Sequence, residues 1–289
     1  MTHRMTRIFW KVVRFPLTRI VLALALVGGL VTVLQPRLQG LDRWLSTLIL
    51  VVAADLAYRL FVRVIERRRT SELGFRRAAG ELAAGIAIGA ALFAATIAAL
   101  WLAGSYRLVA TGTWLAAAAA LPSAIRAGYI EEILLRGVVF RITEERLGSW
   151  LALAISGALF GLLHAGNPGA TWVSAVAIAL EAGVLLAAAY MVTQRLWLPI
   201  GIHFAWNFTQ GGIFGLAVSG HQSTGLLRGE LSGPIWLTGG SFGAEASLLA
   251  VMICLLSGIC LLLLARSRRH FVPPFWREPR RNGRNGVRS

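Results

Sequence analysis

Eight long apolar stretches follow one another along the 289 residues, and they constrain the fold more than any other feature. Their approximate bounds are 17–35, 43–63, 80–103, 113–140, 149–166, 172–192, 196–218 and 244–265. A helix of about 20 apolar residues crosses the hydrocarbon core of a bilayer. Helices are favoured there because they satisfy their own backbone hydrogen bonds. The stretches therefore predict an all-α polytopic membrane protein with about eight transmembrane helices.

Basic residues are concentrated in alternate segments between these stretches. Most of the Lys and Arg residues lie in 1–20, 63–79, 136–149, 195 and the tail from 266. The opposite loops contain only Arg37, Arg43, Arg107 and Arg228. Cytoplasmic loops carry the excess of Lys and Arg in membrane proteins. We therefore expect both the N terminus and the C terminus to be cytoplasmic.

The formal net charge of +16 raises the question of a nucleic-acid partner. The basic residues, however, lie in short segments and a tail beside apolar spans, where attraction to anionic lipid accounts for them. Charged residues make up only 15% of the chain, which is low for a soluble domain. We expect membrane lipid as a partner and no nucleic acid.

Three polar pairs interrupt the apolar spans in the second half of the chain. They are Glu131-Glu132-x-x-x-Arg136, Phe160-x-x-x-His164 and His203-x-x-x-Asn207. Residues four apart project from the same face of a helix. A charged group inside a bilayer is costly and usually functional. Polar pairs on three separate spans predict a site between helices, although each pair alone could equally hold helices together.

Helical geometry separates the two adjacent glutamates. Glu132 and Arg136 are one turn apart and can form an ion pair, which fixes the helix. Glu131 is rotated by about 100° and lacks that partner. A carboxylate in this position is a candidate general base for water. Glu181 in the sixth span has no local partner either, and it is expected to face the same polar interior.

The histidine and asparagine residues supply hydrogen-bonding groups to the same region. His203 and Asn207 can both donate hydrogen bonds, and donors aimed at one point stabilise an oxyanion. His164 follows Gly157 and Gly161, small residues that permit close approach of a neighbouring helix. Counted along straight helices, His203 lies about 10 Å and His164 about 24 Å from the cytoplasmic side. A shared site thus requires the fifth span to tilt or to begin later.

Several common hydrolase patterns are absent from the sequence. No His-Glu-x-x-His helix, Gly-x-Ser-x-Gly turn or phosphate-binding loop occurs. The chain contains only two aspartates, Asp42 and Asp55, and Asp42 lies at a predicted interface. This distribution argues against a two-aspartate intramembrane protease.

The three motifs, in this order, resemble those of the CPBP family, the CAAX proteases and bacteriocin-processing intramembrane proteases. The resemblance covers about 120–215 and includes Leu196-Trp197-Leu198-Pro199-Ile200-Gly201 and His203-Phe204-Ala205-Trp206-Asn207. It implies an eight-helix intramembrane endopeptidase. Glu131 and His164 would activate the hydrolytic water, His203 and Asn207 would stabilise the oxyanion, and Glu132 and Arg136 would support them.

The resemblance leaves the cofactor open, because members of the family are often classed as metalloproteases. If a metal is present, Glu131, His164 and His203 are its expected ligands, since two imidazoles and a carboxylate form a known zinc ligand set. We favour a site without a tightly bound metal, with zinc as the alternative. The expected substrate is a peptide or a membrane-anchored protein, and nothing in the sequence indicates that prenylated proteins are cut.

The predicted spans and the resemblance together suggest how the chain is organised. Residues 1–112 form N-terminal transmembrane helices with basic cytoplasmic segments, and 113–218 form the CPBP-like catalytic core. Residues 219–289 contain an extracytoplasmic glycine-rich loop, flexible or re-entrant, followed by the last transmembrane helix and a basic tail. The arginine-rich composition, with Lys11 as the only lysine, suggests a bacterial inner membrane.

Two other functions fit the same residues. Intramembrane carboxylates also serve proton-coupled transporters, in which Glu131, Glu181 and the histidines would relay protons. No repeat relates the two halves of this chain, which is a common feature of carriers. A non-catalytic bacteriocin immunity protein or scaffold would use the motif residues only to hold helices together.

Overall fold

The computed structural model describes residues 10–277, and its regular structure is almost entirely helical. This confirms the predicted all-α class. The helices are α1 Pro16–Arg37, α2 Arg43–Phe61, α3 Ala78–Leu102, α4 Trp114–Ala118, α5 121–147, α6 149–164, α7 Trp172–Thr193, α8 Trp197–Phe208, α9 Ile235–Thr238 and α10 Leu248–Ser267. Short π-helical turns extend α2 through Val62–Glu66 and α8 through Thr209–Ile213.

Helices occupy all eight positions at which the sequence predicts a span. Five helical segments of the described chain are long and apolar enough to cross a membrane: Pro16–Arg37, Ala78–Leu102, Trp114–His164, Trp172–Thr193 and Leu248–Ser267. The third segment contains both the fourth and the fifth predicted spans. Its direction changes at Gly148, whose φ of 77° and ψ of 168° separate α5 from α6. The protein is therefore a multi-pass membrane protein.

Polar side chains at the helix ends explain why several helices begin where they do. The Asp42 carboxylate accepts hydrogen bonds from the backbone N–H groups of Trp44 and Leu45 at the start of α2. Thr171 and Ser174 form a capping box at the start of α7. Side-chain oxygens at these positions satisfy N–H groups that have no partner within the helix. Each cap therefore fixes the residue at which its span begins.

Helix α8 lies against both α3 and α5, and glycine makes this approach possible. A Cβ on Gly201 of α8 would lie 2.5 Å from the Leu82 carbonyl oxygen of α3. A Cβ on Gly128 of α5 would lie 2.9 Å from the Phe204 backbone nitrogen of α8. Small residues at such contacts let helix backbones touch within a membrane. The contacts hold the His203 segment of α8 close to the glutamates of α5.

The predicted small-residue face of α6 has a neighbour in α7. A Cβ on Gly183 of α7 would lie 2.8 Å from the Cα of Gly157. Gly161 likewise packs directly on the Ala175 backbone of α7. Helix α6 therefore sits close to α7, and His164 is half-buried at its C-terminal end.

A cluster of ionised side chains ties the helices together at one end of the bundle. This ionic cluster consists of Arg19, Glu66, Arg68, Glu72, Arg141 and Glu145. Arg141 donates to both Glu66 oxygens, at 2.8 and 2.9 Å, and Arg68 donates to both Glu72 oxygens, at 2.8 and 2.7 Å. Bidentate contacts between guanidinium and carboxylate groups are the stronger kind of ion pair. The cluster therefore links the segment after α2 to α1 and α5.

The segment predicted as a flexible or re-entrant loop contains regular structure. Strand β2, Leu227–Leu231, pairs antiparallel with β1, Tyr106–Thr111, with Tyr106 opposite Leu231. The ion pair between Arg107 and Glu230, 2.7 Å long, lies on this sheet and is exposed. This strand was not predicted from the sequence. Glycine is depleted in strands, and the pairing partner lies far away in the sequence, so the local composition conceals this strand.

Candidate active site

The centre of the candidate site is the Glu132 carboxylate on α5. Arg136 Nη1 donates to Glu132 Oε1 at 2.9 Å across one turn, and both side chains have an exposed fraction of 0%. A π-helical turn, Ile133–Phe140, begins directly after Glu132. Such turns occur frequently at functional sites. The ion pair expected from the spacing is therefore present and completely buried.

Glu132 also connects α5 to α8. His203 Nδ1 lies 2.8 Å from Glu132 Oε1, and a carboxylate oxygen can only accept, so Nδ1 carries the hydrogen if the carboxylate is ionised. Arg136 in turn donates to the Ala182 carbonyl of α7 at 2.9 Å. These contacts join three helices through one carboxylate and one guanidinium. Charged partners of this kind orient the groups around a reaction site.

Phe160 of α6 lies at the contact between the three motifs. Its ring centroid is 4.6 Å from that of His164 and 5.9 Å from that of His203. The Arg136 guanidinium lies over the same ring at 4.7 Å. Both histidine rings therefore pack beside Phe160, closer together than the counts along straight helices predict. The change of direction at Gly148 separates α6 from α5 before these residues are reached.

His164 is half-buried at the end of α6, and its ring orientation is fixed by its own helix. Its Nδ1 lies 2.8 Å from the Phe160 carbonyl oxygen. Because a carbonyl oxygen can only accept, Nδ1 donates, and Nε2 of the neutral ring keeps a free lone pair. His164 can thus accept a hydrogen bond from water through Nε2.

Glu131 and Asn207 are the least constrained of the predicted site residues. Glu131 Oε2 lies 3.9 Å from His203 Nε2 and has no hydrogen-bond partner among the described residues. Asn207 is half-buried and makes no side-chain hydrogen bond within the described part of the chain. A distance of 3.9 Å is too long for a direct hydrogen bond but permits one water molecule to contact both groups.

A cavity of about 650 Å³ brings four of the six predicted residues together. Glu131, His164, His203 and Asn207 all line it, whereas Glu132 and Arg136 lie buried behind its wall. Its other polar lining residues are Gln35, Ser123, Arg126, Asn167, Ser219, His221, Gln222 and Ser223. Sites for ligands are typically concave with a few convergent polar groups. The cavity has room for a peptide segment as well as water.

A second, smaller cavity of about 30 Å³ adjoins the first and shares His164, His203 and Asn207 with it. Glu181 lines this small cavity, as expected from its lack of a local partner, and Cys254 Sγ lies 3.6 Å from its Oε1. Glu245 lines it too, and sequence reasoning missed this residue. The one signal in the sequence is that Glu245 is an acidic residue at the start of an apolar span.

The proposed metal ligands do not form a ligand set in this arrangement. Within residues 10–277, no group of three His, Cys, Asp or Glu side chains is positioned to hold a metal ion. Glu131, His164 and His203 line the same cavity without converging as ligands, so the residues do not fit a bound zinc ion as they stand.

One charged pair of the amino-terminal spans lies outside the site. Arg59 Nε donates to Asp55 Oδ2 at 2.6 Å, and Tyr129 donates to Asp55 Oδ1 at 2.8 Å. These contacts join α2 to α5 but none of the three residues lines the cavity. Their role is to hold the two helices together.

Comparison with known protein families gives an independent result. Residues 113–209 match the family described as type II CAAX prenyl endopeptidase Rce1-like. The resemblance to the CPBP intramembrane proteases is confirmed. The matched segment, about a third of the chain, contains all six predicted site residues. No curated protein and no solved structure matches the chain.

This match supports an intramembrane endopeptidase at the level of the family. The matched segment begins just before α4 and ends just after α8, so it includes every helix that carries a motif. Helices α1 to α3, α9 and α10 lie outside it.

Proposed function

We propose that the protein is an intramembrane endopeptidase in which Glu131 and His164 activate a water molecule. The observation that carries this proposal is that Glu131, His164, His203 and Asn207 all line one cavity, with the buried Glu132–Arg136 pair behind it. A hydrolase within hydrocarbon needs a polar cavity, a base and donors for the developing charge. All three kinds of group line or support this cavity.

In the proposed reaction, the Glu131 carboxylate takes a proton from water while Nε2 of His164 accepts the second water hydrogen in a hydrogen bond. The hydroxide oxygen forms a bond to the carbonyl carbon of the substrate, and the carbonyl oxygen becomes an oxyanion. When the tetrahedral intermediate collapses, the C–N bond breaks and Glu131 returns its proton to the leaving amine. Charge and atoms balance without a further reactant.

The oxyanion would be stabilised by His203 and Asn207. His203 Nδ1 already donates to Glu132, so Nε2 has a hydrogen to donate only when the ring is protonated. The proposal therefore assigns this interaction to the protonated ring, whose Nε2 lies 3.9 Å from Glu131 Oε2. Asn207 supplies a second donor, because its amide is uncommitted in the described part of the chain. Glu132 and Arg136 act by positioning His203.

The proposal assigns no step to a metal, because the candidate ligands do not converge. If zinc were bound by Glu131, His164 and His203 after rearrangement, it would supply Lewis-acid activation of the same water. We expect turnover to persist after treatment with a chelator. Loss of turnover, restored by added zinc, would contradict the metal-free proposal.

The decisive experiment is cleavage of a quenched fluorescent peptide library by the purified protein in detergent. Glu131→Gln and His164→Ala should each lower kcat by about 10²- to 10⁴-fold, the range for loss of a general acid or base. Glu230→Gln, which removes an exposed carboxylate of the sheet, is the matched control and should retain wild-type turnover. Turnover that survives both cavity substitutions would refute the site assignment.

The physiological setting proposed is a bacterial inner membrane, with a peptide or membrane-anchored protein as substrate. Proton-coupled transport is the alternative function. It is favoured by Glu181 and Glu245, two carboxylates that line the smaller cavity. Uptake of a labelled peptide into proteoliposomes without its hydrolysis would favour that alternative.

A further inference from the structure

The large cavity opens at one end of the helical bundle. Its outermost lining residues belong to helix ends and connections: Gln35 near the end of α1, Ser123 near the start of α5, Asn167 after α6, and His221 and Gln222 in the segment after α8. Ser123, Gln35, His221 and Gln222 are all exposed. These residues form the mouth of the cavity.

The ionic cluster marks the other end of the same helices. Arg19 lies at the start of α1, and Arg141 lies near the end of α5. At a rise of 1.5 Å per residue, Arg19 is about 24 Å from Gln35 along α1, and Arg141 is about 27 Å from Ser123 along α5. These lengths approach the thickness of the hydrocarbon core of a bilayer, about 30 Å. The mouth and the ionic cluster therefore lie at opposite membrane surfaces.

The two ends differ strongly in charge. The connection from α2 to α3, at the end of the ionic cluster, contains Arg63, Arg67, Arg68, Arg69, Arg76 and Arg77. The connections at the mouth end contain far fewer basic residues, and the Arg107 of β1 is paired with Glu230. Arginine and lysine accumulate in cytoplasmic loops. The end of the ionic cluster is thus the cytoplasmic one.

Buried side chains fill the region between the site and the ionic cluster. Ile133, Phe140 and Leu196 each have an exposed fraction of 0%. The Gly137 carbonyl accepts hydrogen bonds from Arg141 Nε at 2.8 Å and from the Tyr58 hydroxyl at 3.0 Å. A close-packed, hydrogen-bonded layer resists the passage of a peptide, because opening it would expose buried polar groups.

We propose that the site is reached from the extracytoplasmic side of the membrane, so that the substrate is a peptide segment exposed there. That the bound peptide is a substrate rests on the proposed peptidase function, whereas the direction of the opening rests on the fold and the charge distribution. Proteins held on the cytoplasmic leaflet by a lipid anchor are on the wrong side of this cavity. The proposal therefore separates this chain from peptidases that act on anchored cytoplasmic proteins.

Labelling of single cysteines with a membrane-impermeant maleimide tests the direction of the opening. Cys260 is exposed and is replaced by Ser, while Cys254 is buried and is retained, and this parent measures the background reaction. Gln222→Cys reports on the mouth and Ala127→Cys on the cavity wall. Ala79→Cys, exposed in the first turn of α3, is the matched control on the cytoplasmic side. Ser123→Cys replaces Ala127→Cys if the latter fails to insert.

In sealed right-side-out vesicles, the cysteines at positions 222 and 127 should react at least about tenfold faster than in sealed inverted vesicles, because only an accessible thiol in water reacts. The cysteine at position 79 should show the reverse preference. Reaction of the cysteine at position 127 only in inverted vesicles would overturn the proposal. The proposal would also be overturned if the cysteine at position 127 reacted from neither side while the cysteine at position 222 reacted from outside.

The labelling result is independent of hydrolysis, so the two proposals fail separately. If the cysteines are labelled from outside but no peptide is cleaved in detergent, the direction of access is established and the proposed peptidase function is refuted. Cleavage that depends on Glu131, together with labelling from the cytoplasmic side, would keep the peptidase and overturn the direction of access.

Discussion

The buried ion pair between Glu132 and Arg136 leads to a quantitative prediction about stability. Replacement of Arg136 by Met removes the 2.9 Å contacts to Glu132 and to the Ala182 carbonyl, at a position where both charged side chains are fully buried. Breaking a buried pair by removing one partner costs about 3–5 kcal/mol, because the other charge stays buried, and Glu132 then keeps only the hydrogen bond from His203 Nδ1. We expect a loss of this size for Arg136→Met.

A double variant, in which both members of the pair are replaced, separates the free-energy cost of an unpaired buried charge from the cost of lost packing. In Arg136→Met with Glu132→Gln, no uncompensated carboxylate remains, so the loss should be smaller than the sum of the two single losses by more than about 1 kcal/mol. Arg107→Met is the matched control, because its pair with Glu230 is exposed. Exposed pairs contribute about 0–1 kcal/mol.

The free energy of unfolding can be measured in mixed micelles with increasing SDS, with helix content followed by circular dichroism. The single and double variants and the Arg107 control are compared under identical conditions. A loss below about 1 kcal/mol for Arg136→Met, or strict additivity in the double variant, would refute the reasoning that this pair neutralises buried charge.

Three further predictions concern pH, packing and catalysis. Burial alone would raise the pKa of the Glu72 carboxyl, but hydrogen bonds and charge from Arg68 lower it to about 2. Its stabilising effect should be complete above the ordinary carboxyl pKa and decay as the pH falls toward 2, so Glu72→Gln should flatten the acid limb of an unfolding-versus-pH curve. Gly201→Val should reduce the thermal stability strongly by separating α8 from α3, whereas Gly80→Ala, in open space, should preserve it. Asn207→Ala should lower kcat by about 10²- to 10³-fold with little change in the unfolding midpoint, since this side chain makes no hydrogen bond in the described chain. An Asn207→Ala enzyme with full kcat would exclude it as an oxyanion donor.

Short-range periodicity accounts for much of what the sequence could predict. The Glu132–Arg136 pair and the arrangement of the spans follow from the helical repeat and from runs of apolar residues, so they are accessible without a structure. The side chains of His203 and Glu132 are 71 positions apart, and their hydrogen bond depends on how α8 packs on α5. That packing depends on contacts such as Gly128 with Phe204, which composition alone does not reveal.

Other features depend on interactions that no local pattern encodes. Strand β2 forms because β1 offers unpaired backbone groups from a distant connection, although its glycine content argues against a strand. Glu245 meets Glu181 at the smaller cavity only because the segment before α10 folds back over the bundle. A sequence pattern describes one helix at a time, so it does not predict such contacts between segments that are distant in sequence.

The distance in sequence between Glu132 and His203 has a consequence for biogenesis. Helix α5 leaves the ribosome well before α8, so the two carboxylates enter the bilayer before their histidine exists. In that interval, Arg136 on the same helix is the only charged partner within one turn of Glu132. Its guanidinium thus acts first as an internal counterion that lowers the free-energy cost of inserting a helix with two adjacent carboxylates. The reactive constellation assembles only when α8 docks, so an unfinished chain carries no competent site.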